Sequence, residues 1–542
     1  MLEFQGPRRV LLGQDPDGAQ AALAEAQAAL DGGEWIAGYL RYELGGAFVR
    51  ARTRLDSPLL VLGIFGEPRD VAAHAGAFEL SPLLARVDAN GYRQAIDAIC
   101  SRIYEGEVYQ VNYTVPFDLR VTGDALALWD AVRQTTGAQY QAYVEHDGTR
   151  LLSWSPELFL SFDGPTVTAK PMKGTSAGDV ATLANPKNRA EHVMIVDLLR
   201  NDLQRICDDV AVEALCSVER YPHFATMTST ITGALRPNVS LAGAFEATFP
   251  CGSVTGAPKR AAFCAIADLE AWPRGAYCGA IGYLSPQRRG WWNVAIRTAQ
   301  LDEDGYGRYD AGGGIVADSS AGDEWNEVLL KTAFLNAFLQ PIELLETFAS
   351  DAAPATLDAH VLRLSAAAGR FRLPFDEDAV RRDIARAIRS AGHRSLIRLR
   401  LHADGRAGIR TEPLVPPQLP VPICLAQERV RSTDPFLRIK SAWRPAHNTA
   451  LAAAQARGCF DALLRNERGE VTEGARTNIF VEIGGRTYTP PLDSGLLPGI
   501  LRAHLVSEGR VLERVLTPGD IAQADAIFVG NSARGLLPAK MR

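Results

Sequence analysis

Strand-like and helix-like runs alternate along this chain as far as Gln340–Pro341, and that alternation constrains the fold more than any other feature. WIAGYLRYEL, QAYVEHD, LLSWSPELFLSF, YCGAIGYLS and WNVAIRTAQL are rich in aromatic and β-branched residues and predict strands. ALAEAQAAL, NPKNRAEHVMIVDLLRNDLQRI and GDEWNEVLLKTAFLNAFL predict helices. Neither kind of run can bury its apolar side alone, so the alternation asks for helices layered on sheets. Pro341 disfavours helical backbone before it and ends the third helix. Beyond it the pattern restarts, with IELLETFA and LIRLRLHA as strands and LDAHVLRLSAAAGRF and DEDAVRRDIARAI as helices between them. LVPPQLPVP, residues 414–422, predicts a crossover between two lobes, before the strands of FDALLRN, TNIFVEIGG and DAIFVGN. At 542 residues the chain exceeds what one core usually holds. The expected fold class is α/β and α+β, with one unit over residues 1–341 and a second over 342–542.

The bulk properties remove several function classes. A net charge of −6 argues against a nucleic-acid surface, which needs a basic stripe. No apolar run approaches the roughly 20 residues that span a bilayer, and MLEFQGPRRV lacks the apolar centre of a secretion signal, so none is expected. The cysteines at 100, 207, 216, 251, 264, 278, 424 and 459 form no CxxC pair and fit a reducing cytoplasm. HExxH and GxSxG are absent, and GSVTGAPK lacks the ending of a phosphate-binding P-loop.

Local patterns in the first unit allow chemistry without requiring it. Lys173, in AKPMKGTSAGD, is framed by proline, glycine and threonine, as a turn lysine or as an amine held against a ligand. Glu324 and Glu327 stand three apart at a helix start, on one face. Their repulsion would be relieved by a divalent cation, although a solvated helix face has the same spacing. The glycines of YDAGGGIVADSS can offer backbone N–H groups to an anion or simply turn the chain. Arg297 in WNVAIRTAQL can pair a carboxylate bidentately or face solvent on its strand.

Several longer blocks, in order, resemble the chorismate-utilising enzymes over roughly residues 35–340: SPELFL, PMKGT, NRAEHVMIVDLLRNDL, FPCGSVTGAPKRAA, AYCGAIGYLS, NVAIRTAQL and AGGGIVAD followed by EWNE. The resemblance implies a two-sheet α/β sandwich that binds Mg²⁺ and chorismate in a central cleft. It implies Glu191, Glu324 and Glu327 as Mg²⁺ carboxylates, and Arg297 with the amides of Gly312, Gly313 and Gly314 as holders of the chorismate carboxylates. Glu157 in SPELF would be the general acid at the departing C4 hydroxyl, and Thr175 and Gln110 would face the substrate. Anthranilate synthases carry alanine where aminodeoxychorismate synthases carry lysine, so Lys173 resembles the second type. There the amine adds at C2 as the C4 hydroxyl leaves, and ammonia then enters at C4 and expels it. Such an amine must be neutral, which asks for an apolar, desolvating cleft. Gln110 stands where isochorismate and salicylate synthases place a lysine base, and glutamine cannot deprotonate water. Thr226 stands where many relatives have a histidine, and it is a poor base for eliminating pyruvate. KGTSAGD departs from the family's KGTRPRG.

The second unit resembles the class IV pyridoxal-phosphate enzymes over roughly residues 343–540, through ETFA, LDAHVLRL, FDALLRNERGEVTEGARTNIFVE, YTPPLDSGLLPGILR and FVGNSARGLLPA. The group contains aminotransferases and aminodeoxychorismate lyase. The resemblance implies a two-lobed domain binding pyridoxal 5'-phosphate, with Lys440 as Schiff-base lysine and Glu473 as partner of the pyridinium nitrogen. Arg363, the amides around Gly499 and Ile500, and Asn531 with Ser532 would hold the phosphate. Leu501 cannot supply the hydroxyl that relatives place after their PG-V/I. The same residues serve elimination and amino transfer, and only the fusion to the first unit favours a lyase.

The combined expectation is a bifunctional enzyme forming p-aminobenzoate for folate synthesis, through 4-amino-4-deoxychorismate and loss of pyruvate. Ammonia would come from a separate glutamine amidotransferase subunit, and relatives of the second unit leave room for a homodimer through it. The alternatives are an anthranilate synthase component I-like unit fused to an amino-acid aminotransferase, or one half kept as a non-catalytic scaffold.

Overall fold

The computed structural model describes residues 1–52, 58–176, 186–220, 225–391 and 393–542, with the side chains of residues 175, 176, 186 and 187 also outside the description. It divides into two compact units, Met1–Leu339 and Gln340–Arg542.

The elements that build the first unit's cleft are β1 (Gln110–Gly123), β2 (Thr149–Ser155), β3 (Leu158–Asp163), β4 (Met172–Ser176), α1 (Pro186–Gln204), β5 (Ala225–Leu235), β6 (Arg289–Asn293), β7 (Thr298–Leu301), β8 (Tyr306–Ile315) and α2 (Ala321–Leu330). Among the described residues they fall into two antiparallel sheets. The order β1-β8-β7-β2 runs through an eight-stranded sheet, while β4, β5, β3 and β6 belong to one of ten strands. Both sheets turn apolar faces to one core, which joins Val115 and Leu152 of the first to Leu160, Ile231 and Trp292 of the second. This is the layered α/β arrangement that the alternating sequence asked for.

Two runs read as single strands are each split between the sheets. LLSWSPELFLSF breaks at Pro156–Glu157, with β2 in one sheet and β3 in the other. Proline has no N–H for the ladder, so the chain leaves one sheet there and enters the next. WNVAIRTAQL likewise breaks between β6 and β7, so Arg297 is not on a strand. The third helix also ends early, at Leu330 rather than near residue 339. The Tyr309 hydroxyl donates to the Lys331 carbonyl at 2.7 Å, satisfying an acceptor that helix continuation would have used.

The second unit's elements are β9 (Leu344–Ala349), α3 (Pro354–Phe371), β10 (Ser395–Leu401), β11 (Ala407–Pro413), β12 (Asp461–Asn466), β13 (Val471–Gly474), β14 (Asn478–Ile483), α4 (Ile500–Ser507), β15 (Ala526–Asn531) and β16 (Gly535–Met541). Strands β9, β10 and β11 form an antiparallel sheet of three, and the others join an eight-stranded mixed sheet. The proline-rich segment after β11 connects these two sheets, as expected of a crossover between lobes. Pro416, Pro417 and Pro420 lie outside both ladders, and only its last residues, Val421 and Pro422, enter the mixed sheet, beside Ala539 and Lys540.

Candidate functional site

The two chain crossings in the first unit are tied to each other. The Val294 N–H donates to the Glu157 carbonyl at 3.0 Å, and the Ser155 hydroxyl donates to the Val294 carbonyl at 2.6 Å. Glu157 and Arg297 are thereby brought to one place where the sheets part. Arg297 has φ +50, a left-handed conformation rare for a residue with a side chain. It persists because its carbonyl accepts from Trp154 N–H and its guanidinium lies 5.9 Å from the Phe334 ring centre.

A cleft with about 720 Å³ of empty space, part of it open to solvent, lies here. Glu157, Lys173, Arg297, Gly312, Gly313, Gly314 and Glu327 line it together. Glycine is needed in β8. A Cβ on Gly314 would lie 2.1 Å from Gln110 Nε2 and 2.9 Å from Lys173 Nζ, and one on Gly313 would lie 3.3 Å from Glu324 Oε2. Gln110 is buried, and its Oε1 has no protein partner. Thr226 also lines the cleft, but its hydroxyl donates to the Gly174 carbonyl at 2.6 Å and so braces the strand that carries Lys173. Thr175 lies on β4, and its side chain is outside the described residues, as is the KGTSAGD departure from residue 177 onward.

Electrostatics distinguish the acids. Glu157 is 3% exposed, and burial pushes its carboxyl up to about 7. A 2.6 Å hydrogen bond from the Ser253 hydroxyl, with help from Lys331 and Lys173, pulls the other way. Burial and the nearby Glu327 raise Glu324, whereas Lys331, 2.7 Å away, holds Glu327 low. The surroundings of Lys173 are not apolar: its Nζ lies 2.9 Å from Glu191 Oε2. Among the described residues, no three His, Cys, Asp or Glu side chains stand close enough together to hold a metal ion. Glu324 and Glu327 do converge on Gly313, and two hard-oxygen ligands with mutual repulsion fit Mg²⁺. Glu191 is occupied by Lys173 instead of joining them.

Sequence reasoning missed Lys331, which pairs Glu327 and donates to the Gly312 carbonyl at 2.5 Å. Its four-residue spacing from Glu327 was a readable signal. Ser253 was missed as well, 96 residues from the acid it touches. So was Arg274, a buried residue that bridges the carbonyls of Val254 and Asn112 in the cleft wall while paired with Glu270.

In the second unit Lys440 follows a short helical turn, and its charged surroundings are Arg444, Arg363, Glu346 and Glu473. Burial and the two arginines push its amine down to about 8. Glu473 is 5% exposed, accepting from Leu497 N–H at 3.0 Å and Asn478 Nδ2 at 3.3 Å, with His447 Nε2 at 3.2 Å. Arg363 on α3 grips Glu346 bidentately, at 2.8 and 2.6 Å, and donates to the Pro498 carbonyl at 3.1 Å. His360 bridges Glu346 (2.6 Å) and Ser532 (2.8 Å). Burial alone would raise Glu346, yet Arg363 and His360 hold it at about 2. Glu346 and His360 were not foreseen; an acid on β9 and a histidine on α3 have no sequence signature as partners.

The helix α4 begins at Ile500, with Gly499 as its cap. Glycine has no side chain to cap the first turn, so an anion can take that place. A Cβ on Gly499 would fall 1.8 Å from Asn478 Oδ1. Asn531 Oδ1 accepts from the N–H groups of Ala533 and Arg534, which shapes the turn carrying Ser532. Leu501 packs toward Gly530 and offers no polar contact there. The Lys440 amine, the buried Glu473 carboxylate and the helix start at Gly499, which no side chain caps, are a donor set that fits pyridoxal phosphate.

Comparison with known proteins gives these sites a setting. The family model for chorismate binding enzymes matches residues 61–337, and that for class IV amino-transferases matches residues 343–541. The aminodeoxychorismate synthase of Streptomyces pristinaespiralis is 40% identical over 256 residues, 44% of this chain and 35% of that protein. The anthranilate synthase component 1 of Methanothermobacter thermautotrophicus is 34% identical over 265 residues, 47% of this chain and 56% of that protein. The chain thus spans 35% to 56% of the length of these curated relatives. The crystal structure of anthranilate synthase component I from Streptococcus pneumoniae shares the fold, with a TM-score of 0.55 at 24% identity, over 62% of this chain and 91% of that one. No helix among the described residues is long and apolar enough to cross a membrane. With half of its length matched by the first model, the chain belongs to the chorismate-binding enzymes and carries a class IV amino-transferase domain after that part.

Proposed function

We propose that the chain makes p-aminobenzoate in two steps, chorismate and ammonia giving 4-amino-4-deoxychorismate in the first unit, and loss of pyruvate following in the second. One observation carries the reading: the Lys173 amine lies in the same cleft as the protonatable Glu157 and Arg297. Relatives named for aminodeoxychorismate and for anthranilate synthesis both match, and Lys173 is what supports the first reading over the second.

Arg297 and the glycine amides of β8 orient chorismate through its carboxylates. Glu157 keeps its proton to about pH 7 and gives it to the departing C4 oxygen. Lys173 Nζ adds at C2 after shedding its proton, and the Glu191 carboxylate at 2.9 Å is an acceptor within reach. Ammonia then enters at C4 and releases the lysine. Gln110 occupies the wall without a base that could activate competing water. Mg²⁺, held by Glu324 and Glu327, would supply Lewis-acid stabilisation. The ammonia comes from a separate glutamine amidotransferase or from free ammonium.

In the second unit pyridoxal phosphate, when bound, supplies an electron sink. Glu473 would keep the cofactor nitrogen protonated, and Arg363, Ser532 and the start of α4 would hold its phosphate. Lys440 Nζ, with its lowered proton affinity, takes the C4 proton of the substrate in its neutral form. The test supplies the purified chain with chorismate, ammonium, Mg²⁺ and pyridoxal phosphate and resolves the products by mass. Production of p-aminobenzoate, its loss in Lys173→Ala, and accumulation of 4-amino-4-deoxychorismate in Lys440→Ala are expected. Anthranilate as product would sink the reading.

A further inference from the structure

We propose that Cys251 is a positioning residue for the acid Glu157, turning its S–H toward Ser253 as Glu157 gives up its proton, so that the Ser253 hydroxyl donates to the carboxylate left behind. The three groups form one chain. Cys251 Sγ lies 3.2 Å from Ser253 Oγ, and Ser253 Oγ lies 2.6 Å from Glu157 Oε1. Cys251 and Glu157, the two ends, are each 3% exposed, so bulk water competes little for either. The backbone that carries the chain is braced. Gly252–Val254 make one helical turn, the Cys251 carbonyl accepts from the Thr255 hydroxyl at 2.9 Å, and the Thr255 N–H donates to the Gly252 carbonyl at 3.2 Å. A Cβ on Gly252 would run into Leu198 on α1, so this turn presses against that helix with no side chain between Cys251 and Ser253.

A serine hydroxyl has one proton to give and two lone pairs to fill. While Glu157 carries its proton on Oε1, that proton is donated to Ser253 Oγ, and the Ser253 proton is left to face Cys251 Sγ, a weak acceptor. Once the proton has passed to the C4 oxygen of the substrate, the carboxylate can only accept. Ser253 then turns its O–H to Oε1 and needs a donor at its back. The Cys251 thiol is that donor, because burial pushes it up to about 12 and it keeps its proton across neutral pH. Hydrogen bonds in a chain polarise one another, so the thiol stabilises the ionised acid through Ser253 and eases proton release. The charged groups around the chain are Lys331 and Lys173 beside Glu157, and Lys259 beside Cys251, the last paired with Asp202 at 2.6 Å. A cysteine that only fills space would be equally buried, and the experiment separates the two roles. The inference deepens the amination reading of the first unit and rests on it.

The S–H stretch of a thiol falls in an uncluttered infrared window and moves to lower frequency when the S–H donates. Spectra of the full chain are taken from about pH 5 to about pH 9, and the band lost in Cys251→Ser is assigned to Cys251 among the eight cysteines. That band should move down in frequency as the pH rises through about 7, where Glu157 ionises, and stay fixed in Glu157→Gln. Amination of chorismate is followed over the same range with free ammonia held constant. Cys251→Ala should move the basic limb of the profile up by about half a pH unit, while Cys251→Ser, a stronger donor, should hold it at or below the native position. A Cys251 band indifferent to pH, a limb within about 0.2 unit of the native one in Cys251→Ala, or equal upward shifts in both variants would overturn the relay. Anthranilate as product, with band and limb moving as stated, keeps the relay and sinks the aminodeoxychorismate reading. In a chain without turnover the infrared band decides the relay alone.

Discussion

Replacing Glu157 with glutamine separates the chemistry of this carboxyl from its cost to the fold. A carboxyl moved from its ordinary 4.5 to about 7 by burial binds its proton more tightly folded than unfolded. Below pH 4.5 both states are protonated and the group is neutral to stability. As pH rises toward 7 the unfolded chain ionises first, so stability falls, and above about 7 the loss is complete. The loss amounts to about 1 kcal/mol at pH 5 and about 3 kcal/mol at pH 8. Glutamine has the same shape, can accept the Ser253 hydrogen bond through its amide oxygen, and never ionises. Glu157→Gln should therefore gain about 2 kcal/mol over the native chain between pH 5 and pH 8, or a few degrees in the first unit's melting transition. Calorimetry at the two pH values reads this directly, and amination of chorismate should fall at least about 100-fold in the same variant. A stability difference that does not change with pH would refute the claim that burial holds this carboxyl protonated.

Three other outcomes follow from the geometry. Ser253→Ala removes a donor that favours ionised Glu157, so the basic limb of the amination profile should move up by about one pH unit. A downward move, or none, would place the active proton elsewhere. Capture of pyridoxal phosphate by the cofactor-free chain should accelerate with pH and level off near 8, where Lys440 loses its proton; stopped-flow absorbance that still climbs toward pH 10 would contradict that. Gly499→Ala would set a methyl against Asn478 Oδ1 and disturb its bond to Glu473, weakening cofactor affinity roughly tenfold by equilibrium dialysis; unchanged affinity would show that the turn has room.

The sequence by itself determined the division into two units, the layered α/β pattern, and the residue types at Lys173, Glu324, Glu327, Lys440 and Glu473, because local periodicity and motif blocks are properties of neighbouring residues. Even there a local reading went astray wherever a run crossed between sheets, since strand propensity does not say which sheet a strand joins. Only the tertiary structure decided that Glu157 and Arg297 sit at two linked crossings. It also decided that Lys173 meets Glu191, and that Ser253 reaches across 96 residues to tune an acid. The chain from Arg363 through Glu346 and His360 to Ser532 spans 172 residues at its last link. Its charges hold one another in place only after burial has removed water from between them. Spacing along the chain carries no trace of such contacts, because dielectric and distance are set by the packed fold.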